Sequence, residues 1–252
     1  CCIMNRDGWK ADAIKIGRSP EYIRKAFSKE RLGGICLVNI TGWGETLIPP
    51  SMPSIIKELL EEGHYMEVVT NGTLTQRFEE IAKIPKELLS HLEFKFSFHY
   101  QELTRLGWVD RFFENVKMMK NAGCSFTIEL MPNDELVGQI EEVKKLCIEK
   151  VGAVCHLTVG RDDVNKRALL TSMSQQEYVK TWESFDSKMF QYKMEIYNTK
   201  RKEFCYAGMW SLYVNLSTGD ACQCYGIQPN QNIYADLSKP IVFRPVGHGC
   251  KQ

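Results

Sequence analysis

Short β-branched or aromatic runs begin near residues 36, 66, 93, 125 and 154, and the segments between them carry a helical beat. Ile55, Ile56, Leu59 and Leu60 share one helical face that ends at Gly63. Phe112, Phe113, Val116 and Met119 mark a second helix, over 111–122 and closed by Gly123. Leu136, Ile140, Val143 and Cys147 stripe a third that closes at Gly152. A further helix is expected over 76–83. Ser19-Pro20-Glu21 predicts another, with Ser as N-cap and Pro in the first turn, running to about Leu32. Phe94, Phe96 and Phe98 alternate with Lys95 and Ser97, so that strand has two unlike faces. Five strands separated by helices predict a parallel sheet or barrel with right-handed crossovers.

The beat ends after residue 160. Residues 161–172 read as a loop, 174–188 as a helix and Lys193 to Tyr197 as a short strand. Cys205 to Cys224 then reads as a hairpin that turns at Thr218-Gly219-Asp220, with cysteines at both feet. These patterns predict a barrel-like domain over 1–190 and a small cysteine-bearing β domain over 191–252.

The stretch Cys36-Leu-Val-Asn-Ile-Thr-Gly-Trp-Gly-Glu-Thr46 reads as a strand buried on both faces that runs into a glycine turn. Gly42 and Gly44 allow a tight turn and leave Glu45 at the carboxyl end of the strand, where α/β sheets and barrels bind ligands. A dinucleotide turn would need glycine at position 47, which is Leu47. A plain strand-to-helix turn stays open as the bland alternative.

Composition narrows the classes. The 252 residues are enough for one barrel-sized domain, and a formal net charge of +1 argues against a broad electrostatic nucleic-acid partner. No apolar run is long enough to span a bilayer, and nothing reads as a signal peptide. Ten cysteines without secretory features point to a reducing, cytoplasmic setting and to metal or redox chemistry before disulfides. Cys36, Cys124, Cys147 and Cys155 sit in apolar contexts and read as core. The other six lie at the two ends of the chain. The chain opens on Cys1-Cys2 and closes on Gly249-Cys250-Lys251-Gln252, as expected of a piece of a longer protein. Cys205, Cys222 and Cys224 flank one hairpin and read as ligands of a shared metal, with Cys250 a later one; His248 reads as a surface residue. Thiolates suit zinc or iron–sulfur clusters alike.

Taken in order, a cysteine pair, Gly42-Trp43-Gly44-Glu45, Thr70-Asn71-Gly72, Ser97-Phe98-His99 and a Cys-X13-Gly-X4-Cys hairpin (Cys205, Gly219, Cys224) form a recognisable set. The set resembles the radical S-adenosylmethionine (SAM) enzymes with a SPASM or twitch auxiliary-cluster domain. The resemblance implies a partial (βα)6 TIM-like barrel, strands 2–6 visible, followed by the hairpin domain. It implies a [4Fe–4S] cluster on a CxxxCxxC loop of which only the last part is present, with Cys1 or Cys2 as its third ligand. It implies a cofactor-binding turn of Gly42, Trp43, Gly44 and Glu45, with Gly44 and Glu45 at the SAM amino group, and Ser97 facing its ribose or carboxylate. Asn71 sits at the corresponding strand mouth, where its role as a turn former is the plainer account. Glu129 and Asn133 are weaker ribose candidates, and Thr158, Val159 and Gly160 would line the adenine. The usual Pro after the Glu is Thr46 here. His99 is a candidate substrate contact.

The implied chemistry is reductive cleavage of SAM to a 5′-deoxyadenosyl radical that takes hydrogen from a peptide or small-metabolite substrate. An electron donor such as ferredoxin or flavodoxin and an auxiliary iron–sulfur cluster at Cys205, Cys222, Cys224 and Cys250 complete the expectation, with no membrane and no nucleic-acid partner. Two alternatives compete. One is a non-catalytic, zinc-stabilised interaction protein on a degenerate barrel. The other is an ordinary βα hydrolase or lyase with Glu45 as general base, which leaves the terminal cysteines unexplained. Trp108, Trp182 and Trp210 are possible pocket residues, with packing the plainer account.

Overall fold

A computed structural model describes residues 15–42, 44–162, 165, 168–200, 203–224 and 227–247. The first helix, α1 (Pro20–Ala26), starts as the sequence predicts: Ser19 Oγ accepts from Tyr22 N at 3.2 Å. It does not run on to Leu32. The Phe27 carbonyl is engaged by His64 Nε2 at 2.7 Å, and the chain restarts as α2 (Lys29–Leu32). His64 is fully buried, and its Nδ1 accepts from Cys36 N at 3.2 Å. That leaves Nε2 as the protonated nitrogen that donates to Phe27.

The strand β1 (Leu37–Ile40) follows, then α3 (Met52–Glu61), whose buried face carries the four predicted residues Ile55, Ile56, Leu59 and Leu60. Next come β2 (Tyr65–Thr70), α4 (Thr75–Ile81), α5 (Lys86–Leu89) and β3 (Leu92–Ser97). The helices α6 (Tyr100–Leu106) and α7 (Val109–Ala122) lead to β4 (Ser125–Leu130). A 3-10 segment, Asp134–Gln139, runs into α8 (Ile140–Val151) and then β5 (His156–Leu157). The five strands form one sheet in the order β1-β2-β3-β4-β5, and β2 to β5 are parallel. The architecture is therefore α/β. The expectation that β1 is buried on both faces fails: Leu37 is 68% exposed and Asn39 is exposed. Among the described residues β1 is the edge of the sheet, with a strand neighbour on one side.

Alternation sorts the two faces of the sheet. Phe94 and Phe96 of β3 meet Phe78 of α4 at ring-centroid distances of 5.5 and 5.7 Å. Phe96 and Phe98 meet Phe112 of α7 at 5.8 and 5.0 Å. This helix-covered face is dry. The opposite face carries Glu67, Lys95, Ser97, Thr127 and Glu129, all half-buried.

Beyond β5 the expectations need three corrections, the first being that the helix expected over 174–188 ends at Trp182, passes into a 3-10 turn, Glu183–Phe185, and gives way to a separate helix from Lys188. Residues 161–172 are not all loop: β6 (Arg161–Asp162) pairs antiparallel with β7 (Ala168–Leu169). After α9 (Gln175–Trp182), which Ser174 and Glu177 start with a reciprocal capping box, Lys193 to Tyr197 is not a strand. It lies largely in α10 (Lys188–Glu195). Lys-Met-Glu-Ile alternates like a strand, but Phe190 and Met194, four apart, are the buried pair, so the helical period wins. Ser187 Oγ accepts from Phe190 N and also from Leu157 N, which fixes the start of α10 on β5.

The hairpin of the last segment is shorter than expected. β8 (Tyr213–Val214), β9 (Asp220–Cys222) and β10 (Gln231–Asn232) form an antiparallel sheet with β9 central, and Cys205 lies outside any strand. Contacts divide the described residues into two units, one of 39–42, 44–48 and 66–198, the other of 15–38, 49–65 and 199–247. In the second unit Arg24 reaches Glu58, Glu61 and Glu62, and Arg31, 7% exposed, binds four main-chain carbonyls. Among the described residues no helix is long and apolar enough to cross a membrane.

Candidate functional site

The loop after β1 returns to the end of β2 through one carboxylate. Gly44 has φ +100°, a conformation that favours glycine, and the next residue, Glu45, is 8% exposed. Glu45 Oε1 accepts from Leu47 N at 3.0 Å and from Thr70 Oγ1 at 2.7 Å; Oε2 accepts from Asn71 N at 2.7 Å. A carboxylate has about four lone-pair positions, so one position on Oε2 is left for a further donor. Burial pushes the Glu45 pKa up, opposed by the donors from Asn71, Thr70 and Leu47.

The β2 end that receives Glu45 is itself pinned. Asn71 Oδ1 accepts from Thr73 N and Thr73 Oγ1, so this side chain closes the turn. Gly72 has φ +73°, and a Cβ there would sit 2.7 Å from Phe112 Cδ2. Asn115, fully buried, donates to the Gly72 carbonyl at 2.8 Å. Thr70, Asn115 and Phe112 were absent from the predicted site; the signal for Thr70 was its place just ahead of Asn71-Gly72.

Across the sheet, Ser97 is in register with Glu129, and Glu129 with His156. Glu129 Oε1 pairs with Lys95 Nζ at 3.0 Å. Lys193 Nζ of α10 donates to Thr158 Oγ1 at 3.0 Å. Burial lowers the Lys193 pKa; Glu129 opposes this, and Lys95 and Arg161 reinforce it. Lys95 and Lys193 were not predicted as site residues. His99, after β3, is exposed to solvent yet flanked by enough protein for burial to lower its pKa, against a raising effect of Glu102. Asn133 caps the 3-10 segment, accepting from Leu136 N, and donates to Gln101. Thr158 N donates to Leu130 O, and the Gly160 carbonyl accepts from Leu170 N, which ties Gly160 to the β6–β7 hairpin.

The cysteines separate by environment. Cys124, Cys147 and Cys155 are buried as expected, and burial pushes Cys124 up to about 12; Cys36 is only half-buried. Cys222 is buried, and its Sγ donates to the Cys224 carbonyl at 3.1 Å; Cys205 and Cys224 are partly exposed. Among the described residues no three His, Cys, Asp or Glu side chains gather as a metal site requires. Cys1, Cys2, Trp43, His248 and Cys250 lie outside the described residues. Trp182 is core at 1% exposure, Arg111 lies 4.6 Å over the Trp108 ring, and Trp210 is exposed and stacked on Tyr206.

No protein-family model and no curated protein matches the chain. Solved structures do. SuiB of Streptococcus suis bound to S-adenosylmethionine superposes with a TM-score of 0.63 at 15% identity, over 89% of this chain and 59% of that one. SuiB bound to the precursor peptide SuiA gives 0.56 at 17% identity, over 88% and 57%. Native anSMEcpe with bound AdoMet gives 0.60 at 16% identity, over 91% and 72%. The chain thus spans under two thirds of SuiB. These neighbours are radical SAM enzymes of the SPASM/twitch type, and at such identities the likeness is one of fold. This chain has the fold of the AdoMet-bound SuiB and anSMEcpe structures.

Proposed function

We propose that the chain belongs to a radical SAM enzyme that holds SAM at the mouth of the sheet and acts on a peptide or small metabolite. When bound next to a reduced [4Fe–4S] cluster, SAM supplies a 5′-deoxyadenosyl radical that takes hydrogen from the substrate. The observation that carries this reading is Glu45: a carboxylate fixed by Thr70, Asn71 and Leu47 at the strand mouth, with one acceptor position left on Oε2. An amino group fits that position, since an ammonium has three donors and no acceptor. In this reading Gly42, Trp43 and Gly44 bring main-chain carbonyls to the same ammonium, and Ser97 and Glu129 hold SAM hydroxyls. Asn71 contributes its turn, its side-chain oxygen being committed to Thr73. Cys1 or Cys2 would ligate the cluster.

A peptide substrate is supported by SuiB, solved with its precursor peptide, and by anSMEcpe, solved with the Cp18Cys peptide. For an auxiliary cluster the proposed ligands are Cys205, Cys222, Cys224 and Cys250. The described thiols do not form a metal-holding group of three.

The test is anaerobic reconstitution with iron and sulfide, followed by dithionite and SAM. The expected result is 5′-deoxyadenosine above a no-enzyme control. Iron-loaded protein that forms none would overturn the reading, and stoichiometric zinc in place of iron would replace it with a structural role.

A further inference from the structure

The buried face of α7 is apolar at Phe112, Phe113, Val116 and Met119 and carries one polar residue, Asn115, which is fully buried. Asn is a poor helix former, and an apolar residue of similar size would pack on such a face with no polar group to satisfy. The amide is only half used. Its Nδ2 donates to the Gly72 carbonyl at 2.8 Å, while Oδ1 has no partner among the described residues. A buried acceptor left without a donor is destabilising, so the reason for an amide here lies on its donor side. One turn earlier on the same face, Phe112 closes over Gly72, where a Cβ would lie 2.7 and 2.8 Å from its ring atoms. α7 thus holds the turn after β2 at two points, one by packing and one by a directed hydrogen bond.

That turn is where Glu45 is held. Gly72 N donates to Thr70 Oγ1 at 3.1 Å, and the Thr70 hydroxyl gives its single proton to Glu45 Oε1 at 2.7 Å. Asn71 N, in the peptide that joins Asn71 to Thr70, donates to Glu45 Oε2 at 2.7 Å. Gly72 is the residue of the turn with the most backbone freedom, at φ +73°, and the Asn115 amide fixes the direction of its carbonyl. We propose that Asn115 is a positioning residue for the Glu45 carboxylate, acting through Gly72 on the Asn71 N–H and the Thr70 hydroxyl. Both donors oppose the effect of burial on Glu45, so a loosened turn weakens the groups that keep the carboxylate ionised. The consequence for ligand binding rests on the radical SAM reading, in which Oε2 receives the SAM ammonium. The positioning itself does not.

Two measurements on the full chain test this. The first is amide hydrogen exchange in wild type and Asn115→Leu. A merely structural role lowers protection of Asn71 and of the β3 amides in step, whereas positioning costs Asn71 about tenfold more than β3. The second is calorimetric titration with SAM. Asn115→Leu should weaken SAM binding by about fivefold in the wild-type background and by less than twofold in Glu45→Gln, because the carboxylate through which it acts is then gone. Circular dichroism melting establishes which variants are folded. Should Asn115→Leu fail to fold, Asn115→Ala leaves room for a water at the Gly72 carbonyl and is read by the same two measurements, with smaller effects of the same sign. Asn71 protection that falls only in step with β3, or a SAM loss undiminished in Glu45→Gln, would overturn the inference and leave the functional reading standing. A wild type that binds no SAM, but whose Asn71 protection depends on Asn115, would sink the functional reading and keep the positioning role.

Discussion

In the unit built on the first helices, Arg31 places its guanidinium among the carbonyls of Ala26, Ile233, Asp236 and Lys239, at 2.6 to 3.1 Å. In the sheet unit, Lys193 donates to one hydroxyl, that of Thr158, and burial with Lys95 and Arg161 outweighs Glu129 in lowering its pKa. Burial depresses both pKa values, so both pay for leaving water. Only the first is saturated by the chain itself. A planar fork of five donors suits fixed carbonyls, whereas an ammonium on a flexible stem suits a partner that comes and goes. A saturated buried cation is a structural clasp, and a half-buried one with a single hydroxyl partner is not.

The comparison is broken most directly at Arg31. Arg31→Met strands four carbonyls that now share the guanidinium, and should cost on the order of 3–5 kcal/mol in urea unfolding. Arg31→Lys should recover less than half of that, because an ammonium cannot reach four carbonyls spread around a plane. A midpoint unchanged by Arg31→Met would remove the clasp from the account.

None of this was visible at Arg31 in the sequence. Lys-Glu-Arg-Leu marks a helix, and nothing in it announces partners some two hundred residues away. What was legible rests on local periodicity and local capping: Ser19 as N-cap, the Phe94-Phe96-Phe98 face, and the helix of Phe112 to Met119. Glu45 was also legible, as a carboxylate after a strand and a glycine turn. Its partner Thr70 was not, because the strand mouth is assembled by pairing order. The error at Lys193 has the same origin. Period-two alternation over four residues was too short a window against Phe190 and Met194, and it hid a lysine that the helix turns toward Thr158.

Glu45 is partnered less completely than Arg31 and more completely than Lys193, with three acceptor positions filled and one left. Glu45→Gln keeps the shape but sets an amide NH2 against the Asn71 N–H, or turns its oxygen there and loses Thr70 and Leu47. We expect a cost of about 1–2 kcal/mol at neutral pH and a SAM affinity lower by about tenfold. Burial raises the folded-state pKa of Glu45 above its unfolded value, near 4.3. The folded state therefore holds the proton more tightly. The contribution is fully present below the unfolded value and is lost as pH rises through the folded one. The stability advantage of wild type over Glu45→Gln should thus shrink from pH 4 toward pH 7; an advantage that grows over this range contradicts the assignment.

The smallest stability effect belongs to Lys193, and its sign is what matters. Its folded-state pKa is depressed, while the unfolded value lies near 10.4. Between the two the unfolded chain binds more protons than the folded one, so stability rises with pH across that window. Below it the ammonium is a standing cost that removal relieves. Lys193→Met should therefore be as stable as wild type at pH 7, or more stable by up to about 1 kcal/mol. The gap should close as pH approaches 10, since the other titrating groups are common to both proteins and cancel in the difference. Urea unfolding at pH 7, 8.5 and 10 reads this directly. A substantial loss at pH 7 would mean that the Thr158 hydrogen bond satisfies Lys193 as fully as four carbonyls satisfy Arg31, and the contrast between the two cations would disappear.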